Sequence, residues 1–401
     1  SDAAGAAAAI EALRLSLAQK AKPGTLVLPP TLLVRLTGEA ARRYGSLVTT
    51  SPAQGFLERE KETAERELST GVHTGLWSHV ANVGQNYVRS GHSDYARAFV
   101  WLVKRAYEHY QSKPGTYGGP WGMDADFTIH RVIPAWDGVE EDPSITDEER
   151  WEVTQILHQW VSEDGLPKAA GTVASTVPRH NHQTFPALGL LYAADYFGKY
   201  YATFDSQEWL ATADACFGRQ ARMFKPHEDC NGYQWLTLGH LAHYCLARPA
   251  FAYFQPSPLW DEALAAAAAP RRLWGTVSNA ERDADYAVLG MDSFGYSTTY
   301  GDTGAYVGWW SELEFLHRVN FVLRDAGYQW VIQKKVERSG RQALGQYAVI
   351  LPAEEPLRLS GAVAFPLDGN WWKAYSGEDA PPLTSAVDKV VLRHGFAEDS
   401  G

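Results

Sequence analysis

The sequence predicts a mainly α protein, a toroid or incomplete α/α barrel of helix hairpins followed by a small β-containing C-terminal segment. Three observations lead there. Apolar residues recur at the 3.6-residue helical period in one segment after another. The stretches between these segments are rich in Gly, Pro, Ser and Asn, the residues of turns. Runs suited to β-strands are few before residue 328. A repeat of fixed period, the mark of a solenoid, is absent. Ten or more antiparallel helices in 401 residues then fit a ring of hairpins around a cleft better than a four-helix bundle with additions.

The helices are expected in order. Residues 5–20 form the first, ending before Lys22-Pro23-Gly24. Residues 56–68 carry Glu, Lys and Arg on an outer face, and residues 94–112 form a strong helix closed by Pro114-Gly115. Residues 126–140 form a shorter one that tolerates Pro134 or is bent by it. Thr146 and the acidic run Asp147-Glu148-Glu149 open a helix over 147–163 with a hydroxyl cap and a negative first turn. Helices at about 184–199, 206–224, 233–246, 258–269 and 309–326 follow. Trp330-Val331-Ile332-Gln333 and Tyr347-Ala348-Val349-Ile350 read as strands, and the chain after residue 355 is mixed. The domain reading is a helical catalytic domain over residues 1–326 and a C-terminal segment with short strands over 327–401.

Composition narrows the partners. The 15 Trp and 20 Tyr suit either helix–helix cores or a groove that stacks sugar rings. A net charge of −11 without a basic block argues against nucleic acid, whose binding depends on phosphate neutralisation. The same charge does not forbid a local cationic cleft. No stretch is apolar for long enough to span a membrane. Cys216, Cys230 and Cys245 match no zinc spacing; three buried thiols are the simpler reading, with one bridge through Cys230 as the alternative. The start, Ser1-Asp2-Ala3-Ala4-Gly5, has the look of a chain cut after a signal peptide, and a secreted or periplasmic location is expected. Oligomeric state is not legible.

Four stretches carry candidate chemistry. In Arg179-His180-Asn181-His182-Gln183, polar residues crowd the mouth of an apolar helix; Asn181 or Thr184 would cap it, which accounts for only one of them. The stretch Glu228 to Tyr244, which includes Trp235, places Tyr233, His240 and Tyr244 on one helical stripe, with His243 beside it. A zinc ion on His240 and His243 would lack a third ligand nearby in sequence, so neither metal nor cofactor is expected. Residues 291–306 form a Gly- and Ser-rich loop bearing Tyr296, Tyr300 and Tyr306. In residues 121–131, His130 and Arg131 suit a substrate carboxylate, and Asp124 a sugar hydroxyl, unless these charges form a structural pair.

Asn, His, Tyr and Arg are the residue types needed for β-elimination beside a carboxylate. The proton on the carbon bearing a uronate carboxyl leaves only when the carboxylate charge is neutralised by preorganised donors. A base takes that proton and an acid protonates the leaving oxygen. Two rival readings are a glycoside hydrolase pairing Asp124 or Asp126 with Glu228 or Asp229, and a carbohydrate-binding protein without turnover.

Asn181-His182, followed by a helix with Gly-Tyr and His-Tyr pairs, resembles the helical-toroid polysaccharide lyases, a group that includes alginate, glucuronan and heparin lyases. Asp124-Ala125-Asp126-Phe127 through Ile133-Pro134-Ala135-Trp136-Asp137 looks like members acting on glucuronan or alginate. The resemblance covers roughly residues 90–310. It implies an acidic polysaccharide substrate, with Asn181 as carboxylate neutraliser and His182 as its partner. His240 or Tyr233 would hold the next position, and Tyr300 or Tyr296 would supply the phenol that serves as base, acid or both. Arg179, His130, Arg131, Asp124, Tyr244 and Trp235 are the accompanying substrate-binding candidates. Many relatives carry a β-sandwich after the toroid; here only about seventy-five residues follow position 326.

Overall fold

The computed structural model describes residues 51–69, 75–112, 121–122, 124–175, 178, 180–203, 205–223, 233–248, 251–256, 278–289, 310–338, 352–366, 372–373, 376–379 and 387–396. The expected helices at 5–20 and 258–269 and the strand at 347–350 lie outside these residues. The described chain is mainly α and falls into two compact units, one up to Val161 and the other from Ser162 onward.

The first unit holds α1 (Phe56–Ser69), α2 (Leu76–Ser90), α3 (Ser93–Ser112), α4 (Ala125–Val139) and α5 (Asp147–Trp160). Trp77, Trp121, Trp136 and Trp160 are fully buried, and the rings of Trp77 and Trp160 stack at 4.1 Å. The Trp77 indole N–H donates to the Trp121 carbonyl at 2.8 Å, which satisfies that buried donor. Gly84 lets α2 and α4 approach closely, because a Cβ at that position would sit 2.7 Å from Ala135 Cβ. Gly91 ends α2 in the left-handed conformation at φ 65°, its N–H returning to the Tyr87 carbonyl. The expected cap of α5 is present as a full capping box between Thr146 and Glu149. Pro134 is accommodated inside α4.

The helix expected to run to residue 163 changes pitch instead. Its α-helical part stops at Trp160, and Val161–Gly165 continues as a π-helical segment that carries the chain from one unit to the next. The second unit then builds α6 (Leu166–Ser175), α7 (Asn181–Tyr200), α8 (Asp205–Gln220), α9 (Tyr233–Ala247), α10 (Asn279–Leu289), α11 (Trp310–Leu323) and α12 (Ala326–Arg338). β1 (Gly361–Pro366) and β2 (Val387–Arg393) pair antiparallel in the C-terminal segment.

The strand reading of 330–333 is overturned: these residues lie inside α12. Tyr328, Val331, Ile332 and Lys335 are buried, an i, i+3, i+4, i+7 stripe of helical period. The β-branched pair Val331-Ile332 suggested a strand, but packing of that stripe decides the conformation.

In both units several pairs of described helices that are not neighbours in the chain pack together and run in the same sense. In the first unit Phe56 meets Tyr95 and Glu65 meets Arg105, so α1 and α3 advance together. Arg97 with Glu149 and Tyr107 with Gln159 show the same for α3 and α5. In the second unit Thr184 meets His240 and Tyr192 meets His243, which aligns α7 with α9. Trp235 against Phe315 and Gly239 against Arg318 align α9 with α11. Consecutive helices are opposed: Gln220 bonds to Thr237 while Asp214 bonds to Tyr244, so α8 and α9 run antiparallel. α6 also packs on α8, and α10 on α12, within this unit.

Candidate functional site

The polar run before α7 folds differently from the expected cap. His180 occupies the N-cap position without a side-chain cap bond, and the helix begins at Asn181, three residues earlier than expected. Asn181 and Thr184 therefore belong to the first turn. Thr184 is compatible with a helical position because its hydroxyl bonds back to the Asn181 carbonyl at 3.3 Å. Pro186, in the second turn, is buried.

Around this turn the second unit assembles a site from α7 and α9. Asn181 and His240 are each about 5 % exposed, His182 is half-buried and His180 exposed. His240 Nδ1 lies 2.9 Å from the Thr184 hydroxyl, bridging 56 residues of chain. The Phe185 ring lies against the same imidazole, 4.0 Å between centroids at 54°. Same-sense packing of α7 and α9 causes this meeting, since it lays the middle of α9 along the start of α7.

A second contact lies further along the same seam. The Tyr192 phenol and His243 Nε2 are 2.5 Å apart. Arg318 of α11 donates to the Gly239 carbonyl at 3.3 Å and to Glu314 at 3.4 Å. Burial, followed by the nearby Arg318 charge, pushes the His243 pKa down to about 4, so this imidazole is neutral at ordinary pH. Burial raises the Tyr192 phenol, and Arg318 partly counters it. Neither Tyr192 nor Arg318 stands out in the sequence; only the helix seam identifies them.

The other candidates of α9 face elsewhere. Trp235 is about 1 % exposed and packs with Tyr286 and Phe315, which makes it core. Tyr244 is fully buried, stacks on Phe217 at 4.3 Å and donates its phenol proton to Asp214. Arg248 grips the same carboxylate at 2.8 and 3.0 Å. His240 and Tyr244 thus share a stripe but meet different helices, α7 and α8. Tyr233 is half-buried at the start of α9.

Asp124, His130 and Arg131 lie in the first unit. The Asp124 carboxylate accepts the Ser78 backbone N–H at 2.8 Å, in the first turn of α2. The N-cap of that helix is Gly75, which has no side chain to offer, so Asp124 serves as the cap from another element. Arg131 donates to Asn82 at 2.7 Å and Gln85 at 3.0 Å, across the α2–α4 seam. His130 is half-buried on α4. The carboxylate pairing imagined for a hydrolase gains nothing from this geometry, and its partners Glu228 and Asp229 lie outside the described residues. Arg179, Tyr296 and Tyr300 also lie outside them.

A buried charged network on α10 was not anticipated. Arg282, Asp283 and Asp285 are all under 3 % exposed. Arg282 holds Asp283 at 2.7 Å and the Met223 carbonyl at 3.1 Å, and the Tyr253 phenol donates to Asp283 at 2.8 Å. Asp285 accepts from Tyr328 at 2.7 Å and Arg358 at 2.8 Å. Burial outweighs the Arg282 charge and lifts the Asp283 pKa to about 6. Partners on several elements make this an internal brace. Cys216 and Cys245 are buried thiols whose pKa burial lifts to about 12; Cys230 lies outside the described residues.

Among the described residues no three His, Cys, Asp or Glu side chains gather as metal ligands, and no helix is long and apolar enough to cross a membrane. Comparison with known proteins finds no matching family model, no matching curated protein and no matching solved structure.

Proposed function

We propose that the chain is a polysaccharide lyase acting on a uronate-containing polymer, of glucuronan or alginate type, and working outside the cytoplasm. The observation that carries this reading is the His240 imidazole held against the turn that Asn181-His182 opens. An amide that can donate to a carboxylate and an imidazole that can take a proton belong to the same small region of the α7–α9 seam. Those are the two functions that elimination needs first. The reaction itself is simple to balance. The base removes the proton from the carbon bearing the carboxylate, and that electron pair becomes the new double bond. The bond to the glycosidic oxygen breaks, and the departing oxygen is protonated.

Asn181 is assigned to neutralise the carboxylate, with His182 beside it, and His240 to accept the proton. The same-sense pairing of α7 with α9 and of α9 with α11 supports the toroid of hairpins in which such a site would sit. Tyr233 remains a candidate for the sugar-binding surface, and Tyr296 or Tyr300 for the acid. Capping of α2 gives Asp124 a structural role of its own.

The test is ultraviolet absorbance during incubation with glucuronan, polymannuronate, polyguluronate, hyaluronan and heparin. Elimination leaves a conjugated double bond, so a rise with one polymer supports the reading and names the substrate. New reducing ends without a rise would replace it with hydrolysis.

A further inference from the structure

Thr184 is fully buried, and its hydroxyl has two neighbours. The Asn181 carbonyl lies at 3.3 Å and His240 Nδ1 at 2.9 Å. A hydroxyl donates one hydrogen bond and accepts up to two. Back-bonding to the carbonyl one turn earlier is a habit of helical threonine. Both contacts are made together only when the hydroxyl proton points to the Asn181 carbonyl and the imidazole carries its own proton on Nδ1. In a neutral imidazole the lone pair then resides on Nε2. Phe185 adds the second constraint, since its ring against the imidazole resists rotation of the ring. Two consecutive residues of α7 thus fix a histidine of α9: Thr184 selects the nitrogen and Phe185 the plane.

We propose that Thr184 is a positioning residue that holds His240 as its Nδ1–H tautomer, so that Nε2 is the proton acceptor. The tautomer stands apart from the lyase reading, while its consequence for turnover rests on it. In that reaction Nε2 takes the proton from the carbon bearing the carboxylate, and the imidazolium later returns it to water.

The experiment is a long-range 1H–15N correlation spectrum of histidine-labelled protein at a pH where imidazoles are neutral. His240 is assigned by its loss in His240→Asn, and the wild type is compared with Thr184→Ser and Thr184→Val. Wild type and Thr184→Ser should show a protonated Nδ1, whereas Thr184→Val, without the hydroxyl, should shift population toward Nε2–H. The elimination rate should fall about 10²-fold in Thr184→Val, recover in Thr184→Ser, and leave KM unchanged. A wild-type His240 protonated on Nε2, or populations unmoved by Thr184→Val, would overturn the proposal. Should Thr184→Val not fold, the wild-type spectrum still decides. If no uronan is cleaved by any variant, the lyase reading fails while the spectra continue to judge the tautomer.

Discussion

The two units follow one packing rule and put it to different uses. In each, alternate helices run in the same sense and meet along a seam. Polar residues described in the first unit serve helix ends and seams. Asp124 caps α2, Arg131 ties α4 to α2, and Asp142 gathers the Ser144 N–H and the Ser93 hydroxyl. On the α7–α9 seam of the second unit, imidazoles meet hydroxyl groups instead: His240 with Thr184, and His243 with Tyr192. The shared architecture determines which positions face each other. Residue type then determines whether a meeting is a brace or a site.

The strongest way to break this contrast is Asn181→Ala. Elimination on the responding uronan should fall about 10²–10³-fold, as for loss of one preorganised donor, with the melting midpoint little changed. Near-wild-type turnover would remove the chemistry from α7.

Next in size is a pH effect of opposite sign in the two units. His243 has its pKa pushed down by burial from 6.5 to about 4. The unfolded chain therefore binds a proton that the folded one refuses, and the stability present above pH 6.5 is lost as pH falls toward 4. Allowing for partial exposure, the loss is about 2 kcal/mol. His79 of α2 is raised instead, through its pairing with the Glu60 carboxylate and despite burial, with Glu67 adding to it. Its contribution is complete below 6.5 and disappears as pH rises through the raised value. Urea unfolding across pH should show His243→Gln flatter than wild type in acid, and His79→Gln less stable than wild type in acid but equal to it at alkaline pH. Matching profiles would refute the contrast.

A smaller effect is expected from Asp124→Ala, which should cost about 1 kcal/mol of stability through the lost cap and leave elimination intact. Loss of turnover without loss of stability would return Asp124 to the substrate. Smallest is Arg131→Ala, at about 0.5 kcal/mol by denaturant midpoint, with KM for the polymer unmoved. A large rise in KM would show that Arg131 meets the substrate carboxylate.

Much of the helical order was legible because α1, α3, α5 and α8 combine apolar period with clear ends. α2 was not legible: Ser78, Asn82, Gly84 and Asn86 make a poor helix by propensity, and burial of Trp77, Val80 and Val83 holds it. α10 was hidden for another reason. Its Arg282, Asp283 and Asp285 are charged residues of a kind seldom buried, and their partners, Tyr253, Tyr328 and Arg358, come from distant segments. The Asn181-His182 end of the site was visible as a polar run before an apolar helix. Its other half was visible only as residue types, because the encounter of Thr184 with His240 depends on which helices pack together.

The shared direction of α7, α9 and α11 also has an electrostatic result. Each helix amino terminus carries roughly half a positive elementary charge, from peptide dipoles aligned along its axis. Three such ends lie at the same end of one row, while the antiparallel α8 turns its negative end the same way. A field of this kind comes from the backbone and is unaffected by the formal side-chain charge of −11. A polyanion approaching the start of α7 would meet these backbone dipoles, positive and negative, on a molecule whose net charge repels it at long range, and added salt would weaken both influences.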